Sequence, residues 1–189
     1  HMKEWTVADS IIVNSEFSRD ALFAQDVPQE KIVVIPLSYE KSKSEYPAMQ
    51  RQLGGNSANN KRSMFSASNP LKILFLGQVM LRKGIQYLVQ AARSLVNFPV
   101  VFDVVGPLGI TNYAVDSAPR NVVFHGRVTR DVASQWYLQS HVFILPTLSD
   151  GFAITQLEAI SHGMPVISTP NCGAVVSDGV EGFVVAARN

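Results

Sequence analysis

Two carboxylates eight positions apart, Asp150 and Glu158, have the type and spacing in this sequence that most directly suggest chemistry. They lie in the stretch 147–170, Thr-Leu-Ser-Asp-Gly-Phe-Ala-Ile-Thr-Gln-Leu-Glu-Ala-Ile-Ser-His-Gly-Met-Pro-Val-Ile-Ser-Thr-Pro, which reads as loop, helix, strand. Asp150-Gly151 is a turn signal, Ile154, Leu157 and Ile160 recur at helical spacing, and Gly163 with Pro165 stops the helix before the apolar pair Val166-Ile167. A helix over about residues 153–162 is predicted. Its first turn offers backbone N–H groups and the positive end of a dipole, and Gly151 ahead of it lets backbone approach a ligand closely, so the helix start suits an anion. Glu158 lies about one turn in and leans back toward that start, so two acids are expected to flank one helix end. Carboxylates accept hydrogen bonds from sugar hydroxyls while the helix end suits phosphate. A nucleotide diphosphate sugar meets both demands. The competing reading is a turn-forming Asp150 and a solvated Glu158.

Cations stand at a second strand-to-helix junction, Phe75-Leu76-Gly77-Gln78-Val79-Met80-Leu81-Arg82-Lys83-Gly84. Arg82 and Lys83 at a helix start oppose the dipole unless an anion is bound there. Either can neutralise a departing nucleoside diphosphate, with about 1.5 to 3 kcal/mol per charged hydrogen bond. Two further glycine-bearing junctions are Val105-Gly106-Pro107-Leu108-Gly109 and Phe124-His125-Gly126-Arg127-Val128. No Gly-x-Gly-x-x-Gly follows any strand, which argues against a dinucleotide oxidoreductase. His125, His141 and His162 have no partners at metal-ligand spacing and read as structural. With no Asp-x-Asp and no His or Cys cluster, no metal site is expected. Asn171-Cys172-Gly173 reads as a turn after a strand.

The elements that must hold these residues alternate. A βαβ unit is predicted from a strand over 9–14, a helix over 16–24 capped by Ser15, and a strand over 31–36. Residues 39–70, rich in Ser, Asn, Lys and Gly, read as a linker or long loop. A strand over 71–76 follows, apolar except at Lys72, as expected of a strand buried on both faces. Then come a helix over 83–96, a strand over 100–105, a loop over 106–120, a strand over 121–124, a loop over 125–128, a helix over 130–139 capped by Thr129, and a strand over 141–145. After the organising helix come strands over 165–168 and 182–185. This alternation predicts an α/β fold with a Rossmann-like, doubly wound parallel sheet and helices on both faces. Ligands bind such sheets at the carboxyl ends of the strands, where their order reverses. That points to the loops 77–84, 106–109, 125–128 and 146–154.

The 189 residues, 47% of them hydrophobic, suffice for one domain's core. A net charge of +1 and no basic cluster beyond Arg82-Lys83 or Lys61-Arg62 argue against a nucleic-acid partner. A single cysteine, Cys172, supplies neither a disulfide framework nor a thiolate metal site, and a reducing setting is compatible.

The segment from Asp150-Gly151-Phe152 to Glu158-Ala159 resembles the two-acid signature of retaining glycosyltransferases of the GT-B fold, specifically family 4 (glycosyl transferases group 1). That family usually carries Glu and Gly where this chain has Asp150 and Ala153. Lys83-Gly84 matches its phosphate loop, with Gln78 where an Arg is commonest and Arg82 as the replacement. The resemblance implies that Gly77, Gln78, Arg82 and Lys83 hold the diphosphate, Asp150 a donor-sugar hydroxyl, and Glu158 the ribose. By the same resemblance Gly106 lies beside the nucleotide, Arg127 and Val128 at its base, and Gly151, Phe152, Ala153, Ile154 and Thr155 along the donor. It further implies metal-independent transfer with no cofactor beyond a UDP-, GDP- or ADP-sugar donor. Residues 1–38 then resemble the close of an acceptor-side N-terminal domain, and 71–189 the nucleotide-sugar-binding domain, cut short at its end. The whole enzyme is expected in the cytoplasm or peripheral to the inner face of the membrane, in cell-surface polysaccharide biosynthesis, with this fragment inactive alone. The alternative is a nucleotide-binding α/β module without catalysis.

Overall fold

The computed structural model describes residues 4–40 and 65–188. Near the chain start, β1 (Ile11–Val13), α1 (Glu16–Phe23) and β2 (Ile32–Val34) form a small parallel unit, with Ile11 paired to Ile32 and Val13 to Val34. Its helix starts where the sequence predicts. Ser15 is extended (φ −159°, ψ 159°) and its Oγ accepts from the Ser18 N–H at 3.1 Å, an N-cap of about 1 kcal/mol. The outer side chains of this unit, Ile12, Val33 and Ile35, are exposed.

The main sheet is built from β3 (Leu71–Leu76), β4 (Val100–Val105), β5 (Val122–Gly126), β6 (Val142–Leu145), β7 (Val166–Ser168) and β8 (Gly182–Val184). All neighbours are parallel, in the order β5-β4-β3-β6-β7-β8. The chain winds outward from β3 to β5, returns to the other side of β3 as β6, and winds outward again. This is the doubly wound arrangement, with its reversal between β3 and β6. The apolar runs are buried on both faces as expected: Leu74, Phe75, Val104, Val105, Phe143 and Val166 are fully enclosed. The helices α2 (Ile85–Ser94), α3 (Asn112–Asp116), α4 (Arg130–Gln139) and α5 (Thr155–Ser161) connect the strands, α2 burying Ile85, Leu88 and Ala92.

Several elements differ from expectation, each for a local reason. The helix predicted over 83–96 is split into a 3-10 turn, Leu81–Lys83, and α2. Gly84 between them is left-handed (φ 77°). The loop predicted over 106–120 contains α3, whose cap Thr111 accepts from the Ala114 N–H at 3.3 Å; five residues are too few to show a helical period. Thr129 precedes α4 as expected, yet its side chain makes no capping bond. The strand predicted over 121–124 runs on to Gly126, so His125 is in the sheet. There its Nε2 meets Asp103 Oδ1 of β4 at 2.7 Å, and its ring lies 4.2 Å from that of Trp136. A structural His125 is what the sequence suggests, and its ring nitrogen satisfies the Asp103 carboxylate, which is otherwise buried in the sheet. Residues 41–64 of the predicted linker, with Lys61-Arg62, lie outside the described residues.

Gly84 sets the junction at the sheet's reversal. A Cβ there would sit 1.8 Å from the Pro146 carbonyl oxygen, in addition to the left-handed φ. Gly84→Ala is therefore expected to cost about 2 kcal/mol or more, lowering the melting temperature by roughly 4 to 8 °C. Thermal unfolding followed by circular dichroism checks this, and an unchanged midpoint would show that the Pro146 loop moves aside freely.

Candidate functional site

The loops leaving β3 and β6 meet at the reversal of strand order and are joined mainly through one residue. The Arg82 carbonyl accepts from Leu148 N–H at 2.9 Å and Thr147 Oγ1 at 3.1 Å, while Arg82 Nη1 donates to the Ser149 carbonyl at 2.6 Å. A second seam joins the loops after β3 and β4: Val79 N–H donates to Pro107 at 2.9 Å, Gly109 N–H to Val79 at 2.7 Å, and Gly77 N–H to Val105 at 3.0 Å. Gly106 closes it, since a Cβ there would lie 1.8 Å from the Gly77 carbonyl oxygen.

These seams bring Lys83 Nζ onto Asp150 Oδ2 in an ion pair whose side chains are only 16% and 15% exposed. The Asp150 N–H is held by the Asn171 carbonyl at 2.8 Å, and Asn171 Nδ2 donates to Leu148 at 3.0 Å. Burial lowers the Lys83 pKa below that of an ordinary lysine and the neighbouring Arg82 adds to this. The Asp150 carboxylate favours the charged ammonium and opposes both.

Around this pair lies a cavity of about 380 Å³, within the range of small-molecule sites. Gly77, Lys83, Asp150, Gly151, Phe152, Ala153, Ile154 and Thr155 line it, so most of the residues expected at a donor site are gathered in one place. Ala153 has a left-handed backbone (φ 56°), which delays the helix predicted from 153 until Thr155. Behind this loop the fully buried Gln156 donates through Nε2 to Phe152 and Cys172 carbonyls at 3.1 and 3.0 Å. Cys172 is buried too, and burial pushes its thiol up to about 11, so the turn containing it serves as an anchor.

Other expected residues lie outside that cavity. Gln78 and Arg127 are exposed, and Val128 packs against the core. Each of the two acids expected to flank one helix end has a side-chain partner, and Glu158 of the helix's first turn is not among the residues lining the cavity. Asp150 is turned to Lys83, whereas Glu158 Oε2 accepts from the buried Tyr137 hydroxyl at 2.7 Å. Tyr137 in turn stacks on His162 with ring centroids 5.0 Å apart, and burial, then Glu158, raises its pKa. The leaning-back rule gives the direction of a helical side chain but not the partner that captures it. Sequence reasoning missed Tyr137, and also Asn14 and Leu37, which line the cavity from the N-terminal unit. No periodicity or motif marks those three. Among the described residues no three His, Cys, Asp or Glu side chains are grouped to hold a metal.

Comparison with known proteins bears on this geometry. Residues 70–189 match the family model described as glycosyl transferases group 1. The chain is 27% identical over 164 residues to an alpha-galactosylglucosyldiacylglycerol synthase of Streptococcus pneumoniae, covering 83% of this chain and 42% of that protein. It is 28% identical over 189 residues to the capsular polysaccharide biosynthesis glycosyltransferase CapM of Staphylococcus aureus, covering 94% and 48%. The chain thus spans less than half the length of these relatives. Among solved structures, Anabaena Alr3699/HepE in complex with UDP and glucose superposes with a TM-score of 0.70 at 21% identity, covering 95% of this chain and 50% of that one. At that identity the likeness carries the fold.

Ala153 yields a test of the loop's strain. A left-handed alanine carries about 1 to 2 kcal/mol, against the roughly 0.4 to 1 kcal/mol by which glycine loosens the unfolded chain. Ala153→Gly is expected to leave the melting temperature unchanged or raise it by a few degrees, although Ala→Gly inside a helix lowers stability by about 1 kcal/mol. A clear fall in thermal unfolding would show that Ala153 is unstrained.

Proposed function

The chain belongs to the glycosyl transferases group 1 family, with the GT-B type of Rossmann-like fold, and from that membership we propose that it is the donor-binding half of a retaining, metal-independent glycosyltransferase. The observation that carries this reading is the meeting of Lys83 and Asp150 across the reversal of strand order. A nucleotide diphosphate sugar presents a phosphate to the cation and a hydroxyl to the carboxylate, so one molecule answers both partners of the pair.

On this reading the bond from the sugar's anomeric carbon to the diphosphate breaks with its electrons left on the phosphate oxygen. The acceptor hydroxyl oxygen bonds to that carbon on the face the diphosphate leaves and passes its proton to the departing phosphate oxygen. Lys83 and Arg82 stabilise the charge that builds on the leaving group, which is the electrostatic contribution a positioned cation makes best. Arg82, pinned through its own carbonyl, need only swing its guanidinium from Ser149. Glu158, oriented by Tyr137 through Oε2, presents Oε1 to the ribose. Gly106, Arg127 and Val128 flank the nucleotide. Uridine is the base we favour, because HepE is complexed with UDP. The relatives' names point to glycolipid or capsular polysaccharide synthesis, and we place the whole enzyme in the cytoplasm or at the inner face of the membrane. Among the described residues no helix is long and apolar enough to cross a membrane.

The acceptor-side domain would precede β1, with residues 1–38 as its end, and the exposed apolar face of Ile12, Val33 and Ile35 is the surface it would cover. The existing Lys83–Asp150 pair also favours a second reading, a nucleotide-binding module without turnover, because it neutralises the cation needed for catalysis.

Calorimetric titration with UDP, GDP and ADP, with and without chelator, tests the proposal. One nucleotide is expected to bind regardless of chelator, and Lys83→Ala to weaken it about tenfold or more. Binding that chelator abolishes would refute the metal-independent reading, and no binding would refute a donor site in this chain. The chain alone is expected to transfer no sugar; turnover would show that it needs no other half.

A further inference from the structure

Asn14 stands at the end of β1, one residue before the cap of α1, and belongs to no motif of the cavity it faces. Among the residues lining that cavity, Asn14 and Leu37 come from the N-terminal unit, and of the two only Asn14 can hydrogen-bond through its side chain. We propose that the Asn14 carboxamide is a specificity residue for the transferred sugar, donating from Nδ2 to a hydroxyl oxygen that Asp150 holds from the other side. The inference rests on the donor-binding reading above.

Three observations carry it. First, the position of Asn14 is built in. The Ser15 hydroxyl donates to the Gly151 carbonyl and docks the start of α1 onto the loop beside Asp150. A Cβ at Gly151 would come within 3.1 Å of Asn14 Oδ1 and 3.2 Å of Ser18 Oγ, so Asn14 and Ser18 pack tightly over this backbone, and a side chain there would press them back by a few tenths of an ångström. Second, the carboxamide is oriented. Ser18 Oγ lies 3.5 Å from the Gly151 carbonyl that Ser15 already serves, and 3.3 Å from Asn14 Oδ1, to which its proton goes. The amide oxygen is thereby engaged, and among the described residues no acceptor takes the Nδ2 donors of this half-buried side chain, which lines the cavity. Third, the chemistry selects the ligand group. A phosphate oxygen only accepts and is repelled by Asp150, while a sugar hydroxyl can donate to the Asp150 carboxylate and accept from Asn14 at once.

The test is calorimetry of the full 189-residue chain, its Asn14→Ala variant and the volume-matched Asn14→Leu variant, each titrated with UDP, UDP-glucose and UDP-galactose. Both variants should bind UDP within about twofold of the parent. Both should lose about three- to tenfold in affinity for the UDP-sugar the parent prefers, as expected of one uncharged hydrogen bond. Ser18→Ala, which frees the amide oxygen but keeps the donor, should lose less. An unchanged ratio of UDP-sugar to UDP affinity in both variants overturns the role of Asn14 while leaving the donor site standing. Equal losses for UDP and UDP-sugar would reveal a merely structural residue and overturn it too. A parent chain that binds no UDP overturns the donor reading itself, and the role of Asn14 with it.

Discussion

Arg82 is gripped at both ends, its carbonyl by Leu148 and Thr147 and its guanidinium on the Ser149 carbonyl, and next to it Gly84 presses against the Pro146 backbone. This backbone contact between the loops leaving β3 and β6 is the constraint on which the cleft depends. The two strands are neighbours only because the chain reverses its winding there, and the reversal leaves a gap at their carboxyl ends. A side chain at 84 would meet the Pro146 carbonyl oxygen and push these loops apart. The cavity is thus a consequence of topology closed down by one glycine.

The ion pair inside it follows the general physics of enclosed charge. A carboxylate and an ammonium about 85% removed from solvent would each be penalised alone, and each relieves the other. Such a pair is a modest source of stability, because desolvation consumes much of the attraction. Its value lies elsewhere. On the proposed reading, a ligand that draws Lys83 toward a phosphate must also supply a donor to Asp150, or a buried charge is stranded. Selection for a molecule carrying phosphate and hydroxyls together is therefore contained in the pair itself. Asp150, one methylene shorter than Glu, stays within reach of the cation, and a longer side chain would have more freedom to turn away.

Much of this was readable from residue types. The runs at Leu71–Leu76 and Val100–Val105 announced doubly buried strands, Ser15 announced a helix start, and the alternation of strands and helices led by known handedness to the sheet and its binding edge. Lys83 and Asp150 were separately visible as residues at loop ends. That they pair was not, because pairing depends on which strands become neighbours and on backbone contacts at Gly84 and Gly106. The same holds for Tyr137 on Glu158 and for Asp103 on His125, contacts between elements tens of residues apart that share no local pattern. The break before α5 was missed for a different reason. Alanine is the strongest helix former, and at 153 the tertiary setting holds it left-handed against that preference.

The N-terminal unit shows how little is needed to join two sheets at a working site. One Ser15 hydroxyl accepts from the Ser18 N–H to start α1 and donates to the Gly151 carbonyl to fasten that helix to the cavity loop. Gly173 lies against the same place, where a Cβ would be 3.3 Å from the Phe152 ring and 3.4 Å from the Ser15 Cβ. The loop of Asp150 is accordingly clamped between Lys83 of one unit and the start of α1 in the other. A shift of the small sheet would act first on Gly151, and Asp150 is the next residue. Stability of the helix start and geometry of the cavity are then not separable properties of this chain, because one hydroxyl serves both, its oxygen accepting at the helix start and its proton going to the cavity loop.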